Sequence, residues 1–304
     1  VKALSLLIFC SPLWEKVLRN IRKNILISYS NKDNVSDAER IRVEMWEAGR
    51  DGKSSKKLEL AKELVNKYPQ SSEAYVELGS VYSEQYKLDE AIKAYEDAIK
   101  INSDNYDAWR ELAKFHIVIG NNVMLPKDRQ DKSKAVKYAE EMLRIRPKAP
   151  NAHQFRANIE RQHSNFEEAN KLYQKMVDVC NETGSTAKST ALIISAHNLL
   201  FSGQLENSMT RYDEAIAISS TPQTAHNLKL YKAVANLFYD KYYNGLDVLD
   251  EMIKDVGETS TSKQAVNQNT AQIYWNKMMM QGHNQQKSEA FKSLAKFKEY
   301  RKRN

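Results

Sequence analysis

The chain has 304 residues, 41% of them hydrophobic and 28% charged, with a formal net charge of +7. Nine glycines and six prolines are its only strong punctuation, and no alternating apolar runs appear, which excludes a strand-rich fold. Two cysteines, Cys10 and Cys180, stand far apart without a pairing pattern; they exclude a disulfide framework and a four-ligand metal site and mildly favour a reducing compartment.

Residues 1–37 form a hydrophobic and basic N-terminal segment. Ala3 to Trp14 is uncharged but too short to span a bilayer. Behind it, Trp14, Val17, Leu18, Ile21, Ile25 and Leu26 make an apolar helical face, with Lys16, Arg19, Arg22 and Lys23 among the polar positions. A signal peptide fits poorly, because Lys2 is a thin basic region and no small-residue cleavage site comes after it. Phe9 before Cys10 disfavours lipoprotein processing in the same way. The open readings are an organelle presequence, an interfacial anchor that touches lipid through residues 1–30, or an extra helix packed on the hairpin that starts at Ala38.

From Ala38 the chain reads as helical hairpins. The first, Ala38 to Ser71, carries Met45, Ala61 and Leu64 and stops at Pro69. The second, Ser72 to Asn105, is the clearest. Tyr75, Leu78, Val81 and Tyr82 form one apolar stripe at helical spacing, and Ala91, Tyr95, Ala98 and Ile99 form another. Gly79 interrupts the first stripe at a cost of about 1 kcal/mol relative to alanine, which predicts close approach of a neighbouring helix. Small residues facing large ones describe two antiparallel helices, and one such pair cannot bury both of its faces without stacked neighbours.

The spacing of Tyr75, Leu78, Gly79, Tyr82, Ala91, Tyr95 and Ala98 resembles the tetratricopeptide repeat. The resemblance implies an all-α fold, a right-handed α-solenoid of stacked antiparallel helix pairs. It extends over about seven hairpins, with looser copies forward. Tyr106 opens a third copy with Trp109, Leu112 and Ala113 in register, but Ala135 arrives ten residues late, so an insertion occupies the turn from Asn121 to Asp131. A fourth starts at Pro150 with Ala157, Ala169, Tyr173 and Met176; a fifth starts near Ser189 with Ala196, Gly203 and Tyr212; a sixth starts near His226 with Ala233, Gly245 and Leu249. Residues 38–259 thus make an array of about six repeats. Residues 260–304 make a degenerate terminal repeat: a long helix from about Ser262 to Gln281, a break at Gly282, and a basic helix whose polar outer face would cap the array.

The positive charge sits at the two ends. Residues 1–32 carry six Lys or Arg against Glu15, and residues 287–304 carry seven against Glu289 and Glu299, so the body between is slightly acidic. Nucleic acid, which needs a basic face on the body itself, is disfavoured as a partner. No phosphate-binding glycine loop, H-E-x-x-H or C-x-x-C occurs, and the six histidines are scattered, so neither an enzyme nor a cofactor is expected. His116 stands where the repeat has tyrosine and reads as a core or groove residue, and Cys180 as a small buried hydrophobe.

In the family, partners lie against the first helix of each repeat. The matching positions here include Glu73, Glu77, Arg110 and Lys114, then Asn151, Gln154 and Asn158, then His197, Phe201 and Tyr231. This candidate groove runs from charged through amide-rich to apolar. Family members that hold acidic chaperone tails use five basic or amide side chains; this chain offers Arg42, then Trp46, Glu77, Asp107 and Glu111, so that class of partner is disfavoured. Leu192 to Phe201 and Leu228 to Tyr239 are apolar nearly all round and must be buried on both faces or expose a patch. The expected function is a non-enzymatic scaffold or adaptor that takes a peptide or helix of another protein in its groove, with a second copy of the chain as the competing occupant. A membrane-associated assembly factor and a docking arm of a larger enzyme are the alternatives. The favoured location is cytoplasmic or membrane-associated.

Overall fold

A computed structural model describes residues 36–118, 122 and 124–302, so the expectations for residues 1–35 lie outside the described residues. Among those residues the chain is all-helical, with fourteen α-helices, one short 3-10 turn and no strand. It divides into two compact units, residues 1–147 and 148–304. Each is a stack of helix pairs in which the second helix of one pair packs on the first helix of the next.

The first unit holds three pairs: α1 (Asp37–Arg50) with α2 (Ser54–Lys67), α3 (Ser72–Glu84) with α4 (Leu88–Ile101), and α5 (Tyr106–Lys114) with α6 (Lys132–Ile145). Its first helices start on side-chain caps that satisfy otherwise orphaned N–H groups. Ser36 and Glu39 form a reciprocal capping box on α1, Ser71 caps α3 and Asn105 caps α5. The Asn105 amide also donates to Ser72 Oγ at 2.9 Å, which ties the starts of α3 and α5 together. Ile41, Met45, Leu60, Leu64, Leu78 and Ala94 fill the core of the first two pairs.

The second unit holds four pairs: α7 (Pro150–Gln162) with α8 (Phe166–Thr183), α9 (Lys188–Phe201) with α10 (Leu205–Ala217), α11 (Pro222–Leu237) with α12 (Tyr242–Thr259), and α13 (Lys263–His283) with α14 (Lys287–Lys302). Three clusters fill it: the first around Met176, Leu192, Tyr212 and Leu228, the second around Ala233, Leu249, Ile273 and Met280, and a smaller one of Ala157, Ala169, Leu172 and Tyr173. Cys180 is buried in the first of them, as expected.

The small residues expected to let helices nest all lie inside. Gly79 is buried, and Ala113, Ala157, Ala196 and Ala233 have no exposed surface. Large partners face them: Tyr95, Tyr173 and Tyr212 occupy equivalent places on α4, α8 and α10 and are among the largest fully buried side chains.

The turn repeats in six of the seven pairs, all but the third. A carbonyl in the last turn of the first helix accepts an N–H from beyond the turn: Lys53 to Ala48, Lys87 to Tyr82, Asn165 to Glu160, Gln204 to Leu199, Lys241 to Asn236 and Gln286 to Gln281, all at 2.8–3.0 Å. The residue before each donor is left-handed: Gly52, Tyr86, Ser164, Gly203, Asp240 and Gln285, with φ between 55° and 85°. Only two of the six are glycine, the residue this conformation favours. Tyr86 is 76% exposed and has little packing to lose. Tyr86→Gly is therefore expected to stabilise the first unit by about 0.5–1 kcal/mol, read as a higher urea midpoint.

These turns also correct one boundary. Gly282 does not break α13, which continues to His283; the turn comes at Gln285. By that equivalence the repeat proper starts at Ala271, and the stretch from Lys263 to Thr270 is an extension before it. The same count from Asp240 puts the sixth repeat at His226, as its spacing predicts, with α11 extended back to Pro222 and capped by Thr221. The insertion in the third pair is where the spacing puts it. Leu125 N–H donates to the Phe115 carbonyl, and the Asp131 N–H donates to His116 Nδ1 at 3.0 Å, so the buried His116 holds the end of the insertion against α5.

Candidate protein-binding face

In the first unit the charged positions of the first helices are engaged with one another. Arg42 on α1 donates to Glu77 on α3 at 2.6 Å. Arg110 reaches Asp107 at 2.7 Å and Glu111 at 2.9 Å, and Lys114 reaches Glu111 at 2.6 Å. Glu73 is exposed and accepts from the hydroxyls of Ser71 and Ser72; its own backbone N–H is the main cause that holds its carboxyl below the usual range. Exposed pairs of this kind contribute about 0–1 kcal/mol each, so they set polarity more than stability. Trp46 is 36% exposed under the Arg50 guanidinium, 5.3 Å from the ring centre.

In the second unit the expected groove residues separate into two groups. Asn151 is exposed and Gln154 half-buried at the start of the face. Asn158 is a correction: it is buried and accepts a hydrogen bond from the Tyr173 hydroxyl, so it belongs to the interior and not to the open face. Burial pushes that hydroxyl up to about 12. The reason is general to the array. Ser80, Asn158 and His197 are equivalent, and each faces the buried tyrosine of its own pair: Ser80 Oγ lies 3.2 Å from the Tyr95 hydroxyl, and the His197 ring lies 5.8 Å from Tyr212. His197 also meets Tyr231 edge-on at 5.5 Å. Burial, with the Arg161 cation a smaller cause, lowers its pKa to about 4, so the ring is neutral at neutral pH. His197 and Tyr231 form the half-buried floor of this region.

Phe201 and Phe238 are its exposed rim, at 55% and 61%. Each stands two residues before its turn, where the first unit has Arg50 and Glu84. The Tyr239 hydroxyl donates to the Leu200 carbonyl, which holds the end of α11 beside the end of α9 and brings the two phenylalanines to one edge. Half-buried Ile193, Leu230, Val234 and Leu237 continue the apolar surface. The helices α9, α11 and α13 contain no Asp or Glu at all.

Two residues of this surface escape a reading of the sequence. Trp275 and Met279, 44% and 37% exposed, fall at the equivalent first-helix positions of α13 once its repeat starts at Ala271. Their signal was the unusual length of α13, which displaces the register.

Among the described residues no group of three or more His, Cys, Asp or Glu is placed to hold a metal, and no helix is long and apolar enough to cross a membrane.

Residues 72–105 match the model of the tetratricopeptide repeat family. A crystal structure of a tetratricopeptide repeat protein from Parabacteroides merdae ATCC 43184 superposes with a TM-score of 0.54 at 16% identity, covering 86% of this chain and 93% of that one. A structure of MamA from Desulfovibrio magneticus RS-1 aligns with a TM-score of 0.47 at 14% identity, over 60% of this chain and 96% of that one. No curated protein matches the sequence. One repeat of the chain thus matches the tetratricopeptide-repeat model, and the stacked helix pairs on either side of it share the fold of the tetratricopeptide repeat structure.

Proposed function

We propose that the chain is a non-enzymatic scaffold that binds another protein, taking an apolar helix or extended segment across the first helices of the second unit. One observation carries the reading: α9, α11 and α13 lack any carboxylate, while Phe201 and Phe238 stand exposed on the same edge. Contiguous apolar surface of this kind marks an interaction site. The charged face of the first unit is internally paired, so it supplies selectivity against acidic segments and little binding energy.

The test is affinity purification of the intact chain beside a Phe201→Glu/Phe238→Glu variant, followed by peptide identification. Both side chains are exposed, so helical circular dichroism should stay at the wild-type value. Partners retained by wild type should be lost from the variant. Identical partner sets from the two proteins would remove this face as the binding surface.

A further inference from the structure

Most cations on the first helices of the second unit are taken by carboxylates of this chain. Arg156 is held by Glu160 at 2.6 Å within α7, Lys229 and Lys232 on α11 by Asp255 at 3.3 Å and Asp213 at 2.7 Å, and Lys277 on α13 by Asp250. Lys188 and Lys263 open α9 and α13, at the ends of those helices away from the turns. Arg161, near the end of α7, is different. It is half-buried, and its side chain has no hydrogen bond or ion pair among the described residues. Counted back from the turn residues Ser164, Gly203, Asp240 and Gln285, it is equivalent to Leu200, Leu237 and Gly282. One pair thus carries a guanidinium where the three after it carry no charge.

This cation borders the apolar face. It acts on the buried Tyr173 hydroxyl of α8 and on His197 of α9. His197 stands one helical turn before Phe201 on the same side of α9, and its other neighbour is Tyr231 of α11. A guanidinium partly withdrawn from water loses hydration that an anion restores, and a carboxylate matches its planar fork with two parallel bonds. The neutral His197 cannot supply that charge, and α9, α11 and α13 hold no Asp or Glu. In the first unit the same need is met inside the chain, Arg42 by Glu77 and Arg110 by Asp107 and Glu111.

We infer that Arg161 receives a carboxylate of the partner segment, an Asp or Glu side chain or a free chain terminus, while the apolar residues beside it lie over Phe201 and Phe238. Resting on the binding face proposed for the second unit, this gives that face a charge requirement and a direction. The acid belongs at the end of the segment that meets α7, and the apolar residues continue from it across α9 and α11.

The probe is a displayed library of random linear peptides, selected on the full-length chain. Peptides that use the face are recognised by lost binding to Phe201→Ser/Phe238→Ser, where serine removes the apolar contact without adding a charge. Those peptides should carry Asp, Glu or the free terminus on one side of their apolar residues. They should bind Arg161→Gln about tenfold more weakly, and Arg161→Lys with a smaller loss. Lys263→Gln, the same loss of charge at the start of α13, should leave their binding unchanged. Selection repeated on Arg161→Glu should replace the acidic residues with Lys and Arg. Wild-type circular dichroism is the check on folding for every variant. Face-dependent peptides that lack an acid, ignore Arg161→Gln or weaken equally on Lys263→Gln overturn the inference and leave the face standing. Recovery of no face-dependent peptide removes the face, and the role of Arg161 with it. Self-association of the full chain in sedimentation equilibrium that Arg161→Glu abolishes would make the occupant a second copy and overturn the assignment to another protein.

Discussion

Gly79→Leu is expected to cost the first unit about 3 kcal/mol, read as a lowered urea midpoint of that unit. Gly79 lies on α3 against the ring of Tyr95, and a Cβ there would meet ring carbons at 2.7–2.9 Å, closer than side chains pack. The ring cannot step aside easily. It is 1% exposed, lies 6.1 Å from the Phe115 ring at a tilt of 48°, and its hydroxyl is tied to Ser80. Gly79→Ala is the milder case, because alanine recovers about 1 kcal/mol of helix propensity while creating part of the clash. A double-mutant cycle separates the two effects: Tyr95→Leu should be costly in the wild type and much less so beside Gly79→Leu, since the smaller side chain vacates the contact. An unchanged midpoint for Gly79→Leu would show that α3 and α4 do not meet as described.

The second large effect is expected at Gly245 on α12, where Gly245→Val should destabilise the second unit by about 2–3 kcal/mol. An added Cβ would meet Met280 Sδ at 2.7 Å and the carbonyl oxygen of Ala233 at 2.9 Å. The first neighbour is a flexible side chain, but the second is backbone of α11 and has nowhere to go. Met280→Ala should therefore rescue only part of the loss, which distinguishes this site from Gly79, where a side chain is the whole obstacle. A full rescue by Met280→Ala would mean that α11 and α12 are held less tightly than the contact implies.

These two glycines illustrate how much of the fold is legible in the residues themselves. Gly79 and Tyr95 fall inside the one copy with regular spacing, and their periodicity predicts the contact directly. The turns are a different matter. Tyr86, Ser164, Asp240 and Gln285 give no local sign of the left-handed backbone they adopt, because it is imposed by the bond across the turn and by the packing of the two helices it joins. The last pair is displaced from its expected register for a related reason. Its extension from Lys263 to Thr270 is as helical as the repeat proper from Ala271 onward, and only the turn at Gln285 fixes the register that places Trp275 and Met279 on the candidate face.

The candidate face divides along the same line. Residue types along the first helices were readable, including the passage from charged to apolar. What each side chain does with its neighbours was not. The pairing of Glu77 with Arg42 and the engagement of Asn158 by Tyr173 both depend on another helix delivering its side chain to within hydrogen-bond reach. Helical spacing identifies the side of a helix, and it says nothing of the depth at which an equivalent position ends up.

The burial of Cys180 has a practical corollary. The residue is 1% exposed in the core that α8 shares with α9, and burial pushes the thiol up from its ordinary range. Alkylation must wait until those helices separate and the thiolate forms in water. The rate at which a maleimide reaches that atom is consequently a clock for breathing of the second unit, and a bound partner that clamps α9 should slow it without touching the sulfur.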